Sequence, residues 1–558
     1  MTFKDAETYE QLIRDFSWHV PEKLNIAHEI CERHAIESPD ALALVEDTGT
    51  CVRCYSFADL KRLSDNLAYS LATLGVNRGT RVVVSLGQDA EGLLAHLACF
   101  KIGAVSVPIA ALYSGEGIAF RVNDSNAHLI ITDRAGADKV APLDMPGVSH
   151  IIVTGGMAQG DELGFDALIA QDCGAYPLAD TRADEPALIF YTSGSTGQPK
   201  GALHGHRMIL GHLNCVRLGF EMAPQPDDVF WTASDWSWLG SLGDLVFPAL
   251  YFGKTLIGTP GRVTAENIYR TLQDHKVTCP FMATAVLRKL SKEPFPQDPR
   301  FVIRAIMTGG EAMPPEVFKW AIATFKAPIN EEFGLTEANQ ISVGCATLFQ
   351  SPAGSVGRVA PGAKIKIVDA FGAEMPSGER GEIVIWFDSP SNMLGYLNRP
   401  EQTASKLLDG WFRTGDEGRI DKDNFLYYYG RLDDLIMVNG MRVGPEEVEA
   451  ELLLHPAVKD AAVVGMPDAG SGEMVTAAIT LQEGHVQFDA LIQELQALVK
   501  RNLAAHCYPK RIVVVDGIPV TSTGKIQRKE MRRNLLALEA AVLVPAPPAA
   551  TPELTGPA

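Results

Sequence analysis

The sequence predicts an α/β protein: a large N-terminal domain of parallel-rich βαβ sheets with a small β-rich subdomain, then a small α+β C-terminal domain. Three observations predict it. In the first third, amphipathic stretches alternate with short apolar, β-branched runs, the pattern of βαβ units. Between 362 and 386 the pattern changes to short alternating strands around Gly, Pro and Ser turns. Beyond 430, helices and strands mix again over about 100 residues, an ordinary domain size. The 558-residue length suits several compact units rather than one core.

Taken in order, residues 57–74 read as an amphipathic helix, and 81–86 (RVVVSL), 129–132 (LIIT) and 150–154 (HIIVT) as buried strands. Another strand, 187–192, runs into a Gly/Ser/Thr-rich loop, so the loop leaves a strand's C-terminal end, where α/β sheets bind ligands. AKIKIVD (363–369) and EIVIW (382–386) flank the turn MPSG (375–378). In the last layout, 446–454 and 488–503 read as helices, and 461–465, 476–481 and 511–515 as strands. Residues 542–558 (VLVPAPPAATPELTGPA) are Pro/Ala-rich and read as a disordered tail.

The composition excludes several classes. A net charge of −19 opposes a phosphate backbone, and no long basic run overrules it, so nucleic acid is not expected as a partner. The N-terminus lacks a basic start and apolar core, and no run of 18 apolar residues occurs, so the expectation is a cytoplasmic protein without a membrane span. Nine scattered cysteines contain one close pair, Cys51 and Cys54, with no second pair to complete a zinc site.

The chemistry begins at 191–201, YTSGSTGQPKG. Thr192, Ser193, Gly194, Ser195, Thr196 and Gly197 put hydroxyls and permissive backbone into one turn that Lys200 closes. Converging N–H groups and hydroxyls can wrap polyphosphate oxygens while the lysine adds a point charge. A flexible linker would not follow an apolar strand, and the GK[ST] ending of a P-loop is missing.

This segment resembles the phosphate-binding loop of the adenylate-forming superfamily, which includes acyl-CoA synthetases, luciferases and peptide-synthetase adenylation domains. The family's other landmarks follow in order over nearly the whole chain. FGLTE (333–337) resembles the aromatic-Gly-x-Thr-Glu motif, which implies that Thr336 bonds a phosphate and Glu337 holds Mg²⁺. One carboxylate plus phosphate oxygens is a usual Mg²⁺ set. Gly309, Gly310, Glu311 and Ala312 resemble the Gly-Glu-Pro stretch against adenine, with Ala312 in place of Pro. Asn330, Glu331 and Glu332 occupy the adenine-facing turn before Phe333. Thr414-Gly415-Asp416 resembles the motif whose carboxylate takes both ribose hydroxyls, a role that suits a carboxylate at a tight glycine turn. Arg431 matches the arginine that reaches the nucleotide, and Asp433 the hinge about which a mobile C-terminal domain swings. The implied boundaries are 1–432 for the adenylation domain, 433–541 for the mobile domain and 542–558 for the tail. TSTGKIQR (521–528) resembles the closing motif, with Val520 in place of its first lysine. Lys525 is then the catalytic lysine that bridges the attacking carboxylate and the α-phosphate, where one lost donor costs about 3 kcal/mol or more.

For the acid, FWTASDWSWLG (230–240) resembles the acyl-pocket segment of acetyl- and medium-chain acyl-CoA synthetases, with Trp238 supporting a wall that Leu239 and Gly240 line. Acetyl-CoA synthetases block the pocket with a tryptophan where this chain has Gly334. Gly240 and Gly309 are also glycine, so the expectation is an open pocket for a medium-chain, branched or aromatic acid, each buried methylene being worth about 0.8 kcal/mol. For coenzyme A, Val438 to Arg442 (VNGMR) resembles the loop that faces the site after the swing. Gly440 would let the pantetheine pass, and Arg442, Lys500 and Arg501 would meet phosphates.

The implied reaction is that of an AMP-forming acyl-CoA synthetase using ATP, Mg²⁺ and coenzyme A. Two readings stand beside it: a stand-alone adenylation enzyme loading a carrier protein, and a non-catalytic nucleotide-binding regulator of the same fold. Retention of Lys200, Glu337, Asp416 and Lys525 weighs against the second. Likeness to acetyl-CoA synthetases also marks Lys525 as an acetylation target, a change that would remove its charge.

Overall fold

The computed structural model describes residues 7–192, 198–261, 263–438, 441–468, 471–485, 489–503, 506–521 and 525–543. They form two units, Met1–Tyr428 and Tyr429–Ala558.

The first unit is the α/β structure that the alternation predicts. Helix Phe57–Thr73 starts where local chemistry dictates: Ser56 Oγ accepts the Asp59 N–H, and the Asp59 carboxylate accepts the Ser56 N–H, a reciprocal capping box. Such a cap is worth about 1 kcal/mol. The helix buries Phe57, Leu60, Leu67 and Leu71, which recur at helical spacing on one face. The apolar runs become strands with buried centres, as Arg81–Ser85, Leu129–Thr132 and Pro186–Thr192 show.

Two large sheets result. One runs in the order Gly395–Tyr396, Lys200–Gly205, Pro186–Thr192, Val105–Pro108, Arg81–Ser85, Leu129–Thr132, His150–Val153, Leu163–Gly164. It is parallel except where Lys200–Gly205 turns back on Pro186–Thr192 and Gly395–Tyr396 joins the edge. The other orders Arg358–Val359, Asn339–Val343, Ile329–Leu335, Ile306–Thr308, Cys279–Phe281, Val229–Thr232, Thr255–Gly258, Leu42–Asp47 and Val52–Ser56. A shared core joins helices Ala90–Ile102 and Met208–Gly219 to residues of both sheets.

The small β subdomain is larger than the span 362–386 suggests. Ile365–Val368 and Gly381–Trp386 pair antiparallel, and Gly381–Trp386 pairs onward with the ten-residue strand Trp411–Ile420.

In the second unit, strands Val458–Asp468 and Gly472–Leu481 form a long antiparallel pair, with Arg511–Val514 parallel beside the latter. Helices Pro445–Leu453 and Asp489–Asn502 contribute Val448, Leu452, Leu491, Leu495 and Val499 to its core. A further helix, Arg528–Leu543, absent from the sequence reading, lays Met531 and Leu535 on Ala462, Val464 and Met466. It runs two residues into the expected tail, and 544–558 lie outside the described residues.

Candidate active site

In the first unit, strands Pro186–Thr192 and Lys200–Gly205 close a hairpin whose register pairs Thr192 with Lys200 and Tyr191 with Gly201. Ser193, Gly194, Ser195, Thr196 and Gly197, which connect them, lie outside the described residues. The base of that connection is anchored from the side. Asp124 accepts the Tyr191 hydroxyl at 2.8 Å and is held by both terminal nitrogens of Arg399, at 2.6 and 3.2 Å. A Cβ at Gly201 would stand 2.8 Å from Ile189 Cγ2, so only glycine lets the two strands lie this close.

The FGLTE segment is a strand end plus a hairpin turn. Ile329–Leu335 pairs antiparallel with Asn339–Val343, and Thr336, Glu337 and Ala338 form the turn between them. Two contacts tie it to the Pro186–Gly205 hairpin and the strand at its edge. His204 Nε2 lies 2.9 Å from the Thr336 carbonyl oxygen. Burial pushes the His204 ring down to about 3, so it is neutral near pH 7, and Nε2 must carry the proton it donates. The Tyr396 hydroxyl donates to Glu337 Oε1 at 2.6 Å, and the same ring lies under Lys200, with Nζ 5.3 Å from its centroid. Lys200, Thr336 and Glu337 thus come together through His204 and Tyr396, which motif reading missed. His204 and Tyr396 become visible only once strand register is known.

The expected adenine turn at 330–332 is instead part of strand Ile329–Leu335. Alternation sends Glu331 and Phe333 to one face and Asn330 and Glu332 to the other. Phe333 packs on Tyr428, ring centroids 5.1 Å apart. Burial pushes the Glu331 carboxyl up to about 8, partly offset by a backbone hydrogen bond from Met313. Beside it, Gly310 takes a left-handed φ of 95°, and Glu311 is paired with Arg288 at 3.0 Å. Ala312 is exposed, and the rigidity its proline would supply comes from Pro314 and Pro315, which open helix Pro315–Phe325.

Asp416 is buried inside strand Trp411–Ile420 rather than at a free turn. Gly415, at φ 79°, makes a bulge there: the register against Gly381–Trp386 slips between Glu382 and Val384. Thr414 Oγ1 donates to the Ile383 carbonyl at 2.7 Å and accepts the Asp416 N–H at 3.0 Å. Glu382 accepts the Gly415 N–H at 3.1 Å and also pairs with Arg413. A bulge within a strand stands where the sequence suggested a turn.

The residues expected at the acyl pocket have less open space around them than their glycines suggest. Trp238 packs on Phe281 at 5.8 Å between centroids, and a Cβ at Gly240 would meet the Trp238 ring at 2.9 Å. Leu239 is buried beside them. At Gly309 the same atom would lie 2.0 Å from Glu332 Oε1, and at Gly334 2.5 Å from the Asn339 carbonyl oxygen. Each glycine makes room for a neighbour.

In the second unit, Arg431 Nε donates to Asp433 at 3.3 Å. Val520 bridges Ile526, the Thr521 N–H donates to the Lys525 carbonyl at 2.7 Å, and Thr521 Oγ1 accepts the Lys525 N–H at 3.0 Å, while Ser522, Thr523 and Gly524 lie outside the described residues. Lys525 is exposed. Arg528, three residues on, is buried among Glu449 at 2.6 Å, Asp434 at 3.5 Å and Glu446 at 3.7 Å. Gly440 lies outside the described residues, and Arg442 pairs through its backbone with Met437. Lys500 and Arg501 sit in the last turn of helix Asp489–Asn502, where Lys500 rides over Tyr508 at 5.6 Å and Arg501 bonds Asn502 at 3.2 Å.

An AMP-binding enzyme model matches residues 31–397, and an AMP-binding enzyme C-terminal domain model matches 447–525. The chain is 30% identical over 554 residues to acetyl-coenzyme A synthetase of Bacillus subtilis (strain 168), covering 96% of each chain. It is 31% identical over 552 residues to acyl-coenzyme A synthetase ACSM3, mitochondrial, of Homo sapiens, covering 96% of this chain and 93% of that one. Among solved structures, the anthranilate CoA ligase AuaEII in complex with anthranoyl-AMP matches with a TM-score of 0.85 at 26% identity, covering 94% of this chain and 99% of that one.

Proposed function

We propose, from the premise that this chain belongs to the AMP-binding enzyme family, that this AMP-forming acyl-CoA ligase activates a medium-chain, branched or aromatic carboxylic acid with Mg·ATP and passes it to coenzyme A. In the first half-reaction a carboxylate oxygen attacks the α-phosphorus, the bond to the β-phosphate oxygen breaks, and pyrophosphate leaves. In the second, the CoA sulfur attacks the acyl carbonyl, its proton is lost, and AMP leaves.

The observation that carries the reading is the meeting of Lys200 and Glu337 on Tyr396 at the base of the 192–200 hairpin. A cation and a carboxylate held by one tyrosine suit a triphosphate with its divalent ion. Among the described residues no cluster of three or more His, Cys, Asp or Glu side chains could hold a metal alone. One carboxylate completed by phosphate oxygens therefore fits Mg²⁺. Bound there, the ion would neutralise charge on the leaving pyrophosphate. Lys200 would steady the β- and γ-phosphates, Asp416 would accept the ribose hydroxyls, and Lys525 would balance charge that builds on the α-phosphate. For the acid, the Trp238–Phe281 wall favours an apolar chain or ring.

The test is direct. Purified protein is incubated with ATP, Mg²⁺ and a panel of straight, branched and aromatic acids, with and without CoA. Thioester from the longer or ring-bearing acids in excess over acetate is the expected result. Preference for acetate overturns the substrate reading, and adenylate that never reaches CoA overturns the ligase step.

A further inference from the structure

We propose that Tyr396 is a positioning residue that keeps the carboxylate of Glu337 and the ammonium of Lys200 apart and aimed for Mg·ATP; this rests on the adenylation reading above.

Lys200 and Glu337 carry opposite charges and contact the same tyrosine, Lys200 its ring and Glu337 its hydroxyl, and no ion pair links the two among the described residues. The hydroxyl takes Glu337 Oε1 at 2.6 Å, the length of a charge-assisted O–H···O⁻ bond. The hydroxyl engages Oε1 alone of the two carboxylate oxygens, a contact that leaves Oε2 for a ligand. Lys200 Nζ lies 5.3 Å from the ring centroid, within cation–π range, which holds the ammonium without neutralising it. A direct Lys–Glu pair would have to be broken before a phosphate and a metal could take the two groups. One tyrosine replaces that pair with two contacts that leave both charges available.

The backbone makes the arrangement firm. Tyr396 is buried and sits on a short edge strand whose register is set on the hairpin, with Tyr396 opposite Ala202 and Gly395 opposite Leu203. The Leu397 N–H donates to the Gly201 carbonyl at 2.8 Å. On the other side, the Met393 N–H donates to the Glu337 carbonyl at 2.8 Å, and Thr403 Oγ1 accepts the Tyr396 N–H at 2.9 Å. Segment 393–397 therefore ties the Thr336–Glu337 turn to the strand that starts at Lys200, and the tyrosine sits at the junction.

Calorimetric titration of ATP with and without Mg²⁺ tests this on the wild type, Tyr396→Phe, Tyr396→Leu and Glu337→Gln, with tryptophan fluorescence melting as the check on folding. Tyr396→Phe keeps the ring and loses only the hydroxyl. It should retain metal-free ATP affinity and lose about tenfold of the gain that Mg²⁺ confers, the loss of one hydrogen bond to a charged group. Tyr396→Leu should weaken metal-free binding as well, because Lys200 loses its seat. A purely structural tyrosine would lower the melting temperature and leave the Mg²⁺ increment alone. If Tyr396→Phe keeps the full increment while Glu337→Gln loses it, the inference is overturned and the adenylation reading stands. If Glu337→Gln also keeps it, the role of Glu337 falls and takes this inference with it.

Discussion

Arg528→Ala should loosen the second unit around helix Pro445–Leu453 far more than an ordinary surface arginine would. The guanidinium is 12% exposed and Glu449 7% exposed, with Nε and Nη2 of Arg528 bonded to the two Glu449 oxygens at 3.2 and 2.6 Å. Asp434 and Glu446 lie within 3.7 Å of the same side chain. Burial alone would depress the guanidinium, yet these three carboxylates outweigh it and hold it firmly charged. Burial raises Asp434 above the usual carboxylate range, so this cluster already strains to stay ionised. Removing the arginine leaves three carboxylates together, and breaking a buried pair from one side costs about 3–5 kcal/mol. A domain of this size holds about 5–15 kcal/mol. All seven tryptophans lie in the first unit, so the readout has to be hydrogen exchange. Amides in Pro445–Leu453 and Val458–Asp468 that exchange through unfolding of this unit should do so roughly a hundredfold faster or more, since each 1.4 kcal/mol is a factor of ten. Lowering the pH should recover part of the loss as the carboxylates that faced Arg528 take up protons. Protection unchanged in Arg528→Ala would refute the account, and the cluster would then be a set of screened surface pairs.

Three further outcomes are expected. Lys525→Ala should cut acyl-adenylate formation by at least a hundredfold, about 3 kcal/mol, while thioester formation from supplied acyl-adenylate stays largely intact; equal loss of both half-reactions would remove its assigned role. Glu331 carries a folded pKa of about 8 against an ordinary value of 4.5, so between those values the folded state holds a proton that the unfolded state has released. Its contribution to stability is therefore full below about 4.5 and is lost as pH rises through about 8. The melting-temperature difference of Glu331→Gln over wild type should grow from pH 5 to pH 9, and parallel curves would show that the carboxyl is not buried in this way. Gly211→Ala puts a Cβ 2.4 Å from the Ser391 backbone nitrogen and 2.5 Å from its Cα, neither of which is a flexible side-chain end. Denaturant unfolding should show a loss of about 1–3 kcal/mol or more, and a wild-type midpoint would mean that helix Met208–Gly219 sits further from residue 391.

What the sequence made legible divides along one physical line. Leu129–Thr132 matches its apolar run residue for residue, and the helix expected at 57–74 appears as Phe57–Thr73, because burial and capping are decided by near neighbours. The residues of FGLTE were found by type, but their hairpin turn was not, since a turn between strands is defined by the partner strand. The Gly415 bulge likewise exists only against Gly381–Trp386, and helix Arg528–Leu543 earns its place through Met531 and Leu535 on a distant sheet. Tyr396 is the extreme case: no titratable motif surrounds it, and its meaning comes from register across almost two hundred residues.

The pocket glycines show what register changes in a functional argument. As isolated letters, Gly309 and Gly334 read as volume removed from a wall. In the sheet, Glu332 and Gly309 share a side, and the carboxylate occupies the place where a residue-309 side chain would begin. The two positions are therefore coupled. Alanine at 309 requires Glu332 to swing away, whereas Glu332→Ala should open the space that the glycine alone was expected to provide. Substrate range should follow the pair rather than either residue, and a double-mutant cycle on kcat/KM across the acid panel should give a non-additive term larger than the ~0.5 kcal/mol typical of independent sites.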